Sequence, residues 1–191
     1  METDAALVTR AKDGDESAFG EIVRRHLPAV FAFIVRYAGD EALAEDVSQE
    51  TFVKAWRYLA RFDETRSLRP WLFQIARNAA RDALRKKRAT PFSRMFGKSE
   101  SEDDTPFEDT VADDAPLPAE LFEQKELGRI LEAALAELSE RDRALLLMRY
   151  EDTAPFDDIA GALGAPVNTV KSWHRRALLR LKELLKNHAP D

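Results

Sequence analysis

Hydrophobic positions recur every three to four residues along most of this chain, and no stretch sustains the two-residue alternation of a half-buried strand. The pattern predicts an all-α protein. Asp15 can cap a helix that runs to about Ala38, with Phe19, Ile22, Val23, Val30, Ile34 and Tyr37 on or near one face and a kink expected at Pro28. Gly39 ends that run and Asp40 caps the next, roughly 41–60, whose Leu43, Val47 and Phe52 point inward. The polar "ARFDETRS" at 60–67 forms a loop. Ser67 then caps a third long helix that tolerates Pro70 in its first turn and buries Leu72, Ile75, Ala76, Ala79 and Ala83.

Periodicity disappears over 89–119, which is rich in proline, serine and acid and reads as a flexible, self-repelling linker. A second helical group starts near Glu120. "LGRILEAALAEL" and "SERDRALLLMRYE" each give an amphipathic helix, the latter capped by Ser139. The expected organisation is two small helical domains, 1–90 and 120–191, joined by an acidic linker over 91–119.

The most distinctive local pattern is "IAGALGAPVNTVKSWHRRA", residues 159–177. A helix-turn-helix needs a small residue where its helices cross, a glycine at a left-handed turn and a β-branched residue early in the second helix. Ala160, Gly164 and Val170 meet those demands, and Ile159 and Leu163 supply the first helix's inner face. Asn168 or Thr169 can cap the second helix or place its amides on a phosphate. At 100° per residue, His174, Ala177, Leu181 and Leu184 share the arc of Val170, with Trp173 about 60° away. Lys171, Ser172, Arg175 and Arg176 occupy the opposite arc, where they can read guanine or grip phosphate in a major groove. Trp173 reads as a core or rim anchor and His174 as a packed histidine.

Charge sharpens this picture. The net charge of −6 is unlike a nucleic-acid binder until it is divided along the chain. Residues 1–90 carry +2, residues 91–124 carry −8, and residues 125–191 are neutral. Six basic residues face a single Asp82 within 71–90, and five face no acid within 167–182. Two basic helices flank an acidic tether, a distribution suited to nucleic acid. Cysteine is absent, which excludes thiolate metal sites and fits a reducing cytoplasm. His26, His174 and His188 have no partner at metal-ligand spacing, and no leader or membrane-spanning run is apparent. Nothing forms a nucleophile–base set, a paired-carboxylate site or a phosphate-cradling glycine loop, so a non-catalytic protein without cofactor or small-molecule substrate is expected.

On the helix 41–60, Glu45, Asp46, Gln49 and Glu50 share one polar face, which either solubilises the helix or docks on a basic partner. "AEDVSQETF", "PWLFQIARN" and "GAPVNTVKS", in this order, together with "LSERDRALLLMRY", resemble the extracytoplasmic-function (ECF) class of bacterial sigma factors over about residues 10–187. That resemblance implies a domain-2-like bundle and a domain-4-like helix-turn-helix on a promoter-specificity subunit of RNA polymerase, in a stress or envelope response. It implies that Asp46, Gln49 and Glu50 dock on core polymerase. Loop 60–67 would hold a flipped base of the single-stranded −10 element, with Phe62, Asp63, Arg66 and Ser67 as pocket residues. Arg77, Asn78, Arg81 and Arg85 would grip the backbone there, while Trp71 and Phe73 are either core or stacking groups. Lys171, Ser172, Arg175 and Arg176 would read the duplex −35 element with Thr169 on a phosphate. The linker is either a solvated spacer or an RNA mimic in the exit channel. An anti-sigma protein is an expected partner. The family usually places a basic residue where this chain has Trp173, an apolar one at His174 and a small polar one at Pro155. The remaining alternative is a polymerase-independent helix-turn-helix regulator, which would bind duplex tightly by itself.

Overall fold

The computed structural model describes residues 2–89, 125–150 and 153–188. Among these, the chain forms eight α-helices: α1 (Asp4–Lys12), α2 (Glu16–Ala38), α3 (Glu41–Tyr58), α4 (Leu68–Ala89), α5 (Lys125–Ala136), α6 (Glu140–Tyr150), α7 (Phe156–Leu163) and α8 (Val167–His188). A 3-10 turn, Leu59–Arg61, follows α3. The linker expected over 91–119 lies outside the described residues.

Local chemistry sets most of the boundaries. Asp15 accepts from the amides of Ser17 and Ala18 at the start of α2, and Asp40 accepts from Leu43 at the start of α3. Gly39 closes α2 at φ 68°, a left-handed conformation that costs a Cβ-bearing residue strain. Ser139 Oγ accepts from the amide of Asp142 at the start of α6. α2 continues through Pro28 as one helix. Pro28 and Arg24 are both exposed, so water can serve the carbonyl that loses its N–H partner.

α1 was not visible in the periodicity. Nine residues with Leu7, Val8 and Ala11 buried are too few to register, and an isolated helix of that length is marginal. Tertiary contacts hold it. Asp4 meets His26 Nε2 at 2.8 Å, and Arg25 donates to the carbonyl of Glu2 at 2.7 Å.

α1 to α4 enclose a first core in which Phe33 stacks on Phe73 at 4.6 Å and on Tyr37 at 5.8 Å. Each such ring or aliphatic side chain fully removed from water contributes about 1.5–3 kcal/mol. On α4 the buried stripe is Leu68, Leu72, Phe73, Ala76, Ala79 and Ala80, while Ile75 and Ala83 are only half-buried. α5 to α8 close around a second core that includes Leu131, Leu145, Met148, Ile159, Val170 and Leu181. The two groups also touch: α2 packs on α5 and α6, and α4 packs on α6 and α7.

Candidate nucleic-acid interface

α7 and α8 cross with the geometry their sequence demands. Gly164 adopts φ 70° at the C-terminus of α7, Ala160 is buried at the crossing, and Val170 is fully buried on α8. α8 begins at Val167, so Asn168 and Thr169 lie inside its first turn and neither is the cap. The helix starts earlier than expected because Val170 N already donates to Pro166 O at 3.0 Å.

The inner and outer arcs of α8 separate as the 100° rule requires. Val170, His174, Ala177, Leu181 and Leu184 are buried, and Lys171, Ser172 and Arg175 are exposed. Arg176 and Thr169 are half-buried at the margin. Ser172 Oγ donates to Asn168 O at 3.1 Å, which leaves its lone pairs free to accept. His174 is an inner-face residue, 3.1 Å from Tyr150 Oη through Nε2 and met by the edge of Phe156 at 5.1 Å. Trp173 is half-buried beneath the guanidinium of Arg141, 4.3 Å from its ring centroid. That cation–π contact ties the start of α6 to the second helix of the motif.

On α3, Glu45, Asp46, Gln49 and Glu50 project into solvent together, and Glu50 pairs with Lys54 at 2.7 Å. The next turn of this face carries Val53, 51% exposed, so an apolar group adjoins the acidic ones. On α4, Asn78, Arg81 and Arg85 are exposed, while Arg77 is half-buried. Arg85 leans on Asp82 at 3.7 Å.

Loop 60–67 is ordered by its own side chains and by α1. Asp63 Oδ1 accepts from Thr65 N at 3.0 Å and from Thr65 Oγ1 at 2.7 Å, bonds that hold the carboxyl below its ordinary pKa. Lys12 of α1 donates to Phe62 O and to Glu64, both at 2.7 Å. Phe62 itself, expected to line a base pocket, is 7% exposed, with its ring tilted against Trp71 at 4.8 Å. It is also among the residues that line the cavity beside this loop. Arg66 and Ser67 are exposed beside a cavity of about 240 Å³ bordered by Arg61, Asp63, Trp71 and Gln74. Its remaining wall comes from α7, through Asp158, Gly161 and Ala162.

Sequence reasoning did not single out Lys12, Gln74, Arg143 or Gly161. Each acts across a long chain separation, for which a one-dimensional pattern carries no signal.

Two family models match the chain, Sigma-70 region 2 over residues 22–90 and Sigma-70 region 4 over residues 128–181. RNA polymerase sigma factor NccH of Alcaligenes xylosoxydans xylosoxydans is 32% identical over 96% of this chain and 95% of its own. ECF RNA polymerase sigma factor RpoE of Cereibacter sphaeroides is 31% identical over 93% of this chain and 92% of its own. The chain belongs to the ECF family of RNA polymerase sigma factors. The solved structure of CnrH in complex with the cytosolic domain of CnrY is similar, with a TM-score of 0.70 at 26% identity, covering 98% of this chain and all of that one. RpoE in complex with the anti-sigma factor NepR from Bartonella quintana gives 0.65 at 28% identity, covering 88% and 96%.

As an ECF sigma factor the chain is a transcription-initiation protein that directs core RNA polymerase to promoters, and its family is not one of known enzymes. The matches cover both helical groups in order, which a free-standing helix-turn-helix regulator would not require. Among the described residues no helix is long and apolar enough to cross a membrane.

Proposed function

We propose that the two helical groups divide promoter recognition between them. Loop 60–67 and the exposed face of α4 take the single-stranded −10 element, with Phe62, Asp63, Arg66 and Ser67 at the base pocket and Arg77, Asn78, Arg81 and Arg85 along the backbone. α8 enters the major groove of the −35 element with Lys171, Ser172, Arg175 and Arg176, while Thr169 meets a phosphate. Asp46, Gln49 and Glu50 on α3 dock core polymerase. The observation that carries this reading is α8, whose basic arc is exposed while its opposite arc is buried in its own core. Domain limits at 1–90 and 120–191, with the acidic connector between them, belong to the same reading.

An anti-sigma protein is a further proposed partner, since both similar solved structures are complexes with a second protein. The site of action is the cytoplasm, where chromosome and polymerase are found, and the setting is a stress or envelope response. Run-off transcription from a fragmented bacterial genome, with purified core polymerase, tests the reading. Discrete starts that depend on this protein are expected, and their alignment supplies both promoter elements. Tight duplex binding by the protein alone, with no new start, would overturn it.

A further inference from the structure

Helix α1 uses two faces. Leu7, Val8 and Ala11 are buried where α1 packs on α2, and Thr9 and Lys12, one turn apart, meet loop 60–67. The Lys12 ammonium donates to Phe62 O and to Glu64 Oε1, both at 2.7 Å. Thr9 Oγ1 lies 3.0 Å from Glu64 Oε2 and 3.0 Å from Ala5 O, so its single proton is shared between them. Lys12 and Thr9 together hold the Glu64 carboxyl below its ordinary pKa.

The loop is thereby gripped from behind. Asp63, Arg66 and Ser67 border the cavity, whereas Glu64, in the same turn, bonds to α1. Phe62 serves both sides: its ring packs on Trp71 and its carbonyl accepts from Lys12. The turn closes on itself through Arg66 N to Asp63 O at 3.1 Å and Thr65 N to Asp63 Oδ1 at 3.0 Å. Those bonds shape the turn without fixing where it sits on the bundle. Lys12 ties it there, with a side chain only 21% exposed, and α1 is itself pinned to α2 by Asp4 on His26 and Arg25 on Glu2 O.

We propose that α1, through Lys12 and Glu64, positions the base-reading loop and sets how sharply the protein discriminates the flipped base of the −10 element, a role that rests on the proposed reading of loop 60–67. Lys12 and Glu64 are positioning residues, and neither borders the cavity. A loop held in place meets its base without a further ordering cost. It also meets a wrong base with polar groups left unpaired, where a loose loop would adjust to it.

Holoenzyme reconstituted on core polymerase is titrated with four labelled single strands of the mapped −10 element that differ at the flipped base. The parent is expected to prefer one of them. Lys12→Met and Glu64→Gln are each expected to lose about tenfold on that strand, the order of one charge-assisted hydrogen bond, and to flatten the preference among the four. Lys12→Met combined with Glu64→Gln should lose no more than either alone, because the two act as one unit. The sign for Glu64→Gln is decisive. Removing an acid beside a polyanion tightens binding if charge alone matters, so tighter binding, or additive losses in the combined variant, would overturn the proposal. Because Glu64 is exposed, its variant keeps the test open should Lys12→Met fail to fold. A parent without base preference would remove the −10 reading of the loop. Positioning is then decided on the free chain by backbone order parameters of residues 63–66 from nitrogen-15 relaxation. They should fall in Glu64→Gln while those of α3 hold, and unchanged values would overturn it.

Discussion

Arg143 donates through Nε to Leu135 O at 2.7 Å and through its two terminal nitrogens to Ala136 O, Leu138 O and Tyr37 O at 2.6–3.0 Å. One guanidinium thereby serves the C-terminal carbonyls of α5 and a carbonyl in the last turn of α2, where a cation is also favoured by the helix dipoles. Arg143→Met should cost about 2 kcal/mol, because hydrogen bonds from a charged donor are worth roughly 1.5–3 kcal/mol and several carbonyls lose theirs. Arg143→Lys should not restore it, since an ammonium lacks the fork that reaches four acceptors. Urea midpoints of the three proteins check both statements. His26 is buried among Asp4, Arg25 and Arg69, and burial, outweighing the attraction of Asp4, holds its pKa below the ordinary value. A histidine depressed in the folded state contributes stability above its unfolded pKa, about 6.5, and that contribution falls away as pH drops through the folded pKa. Unfolding free energy should therefore decline on acidification below pH 6.5, less steeply in His26→Gln.

At the scale of elements, glycine and aspartate placement govern where helices stop and start. Gly164 at φ 70° is the joint of the helix-turn-helix, and an L side chain there costs about 1–2 kcal/mol. Gly164→Ala should lower the thermal midpoint and weaken duplex binding together, whereas Gly164→Asn should lose less of both because asparagine tolerates that region. Thermal melts and gel shifts on the mapped −35 element read the two effects. These boundaries were legible in the sequence because a cap or a left-handed glycine acts within four residues. α1 was not, because its three buried residues become a pattern only once α2 lies beneath them. The α8 start was displaced for a related reason: Pro166 supplies a carbonyl acceptor that its ring chemistry does not advertise.

For the whole molecule, charge is partitioned between surfaces, and the proposed division of partners follows that partition. The face with Asp46, Gln49 and Glu50 is acidic over those turns, with Lys54 on Glu50 and Arg57 only at its far end, and the arc with Lys171 and Arg175 carries no acid. Lys171→Ala with Arg175→Ala should flatten the salt dependence of −35 duplex binding by a slope of about 2 and leave polymerase capture unchanged. Asp46→Asn with Glu50→Gln should weaken capture of core polymerase and leave the salt slope alone. Fluorescence titrations against each partner separately distinguish the two, and a shared loss would merge surfaces that the charge pattern keeps apart.

What the sequence determined by itself was governed by near neighbours: helical class, the caps at Asp15, Asp40 and Ser139, the glycine joint, the arcs of α8 and the acidic face of α3. Those depend on periodicities of 3.6 residues and on side chains that bond their own backbone. The tertiary structure decided what required distant segments to meet. It packed Phe62 against Trp71 at the wall of the cavity, bound Lys12 to the loop fifty residues on, and set Arg143 across two helix ends. Spacing along a chain carries the information of a helix; which helices touch depends on how their buried faces fit, and that is settled only in three dimensions.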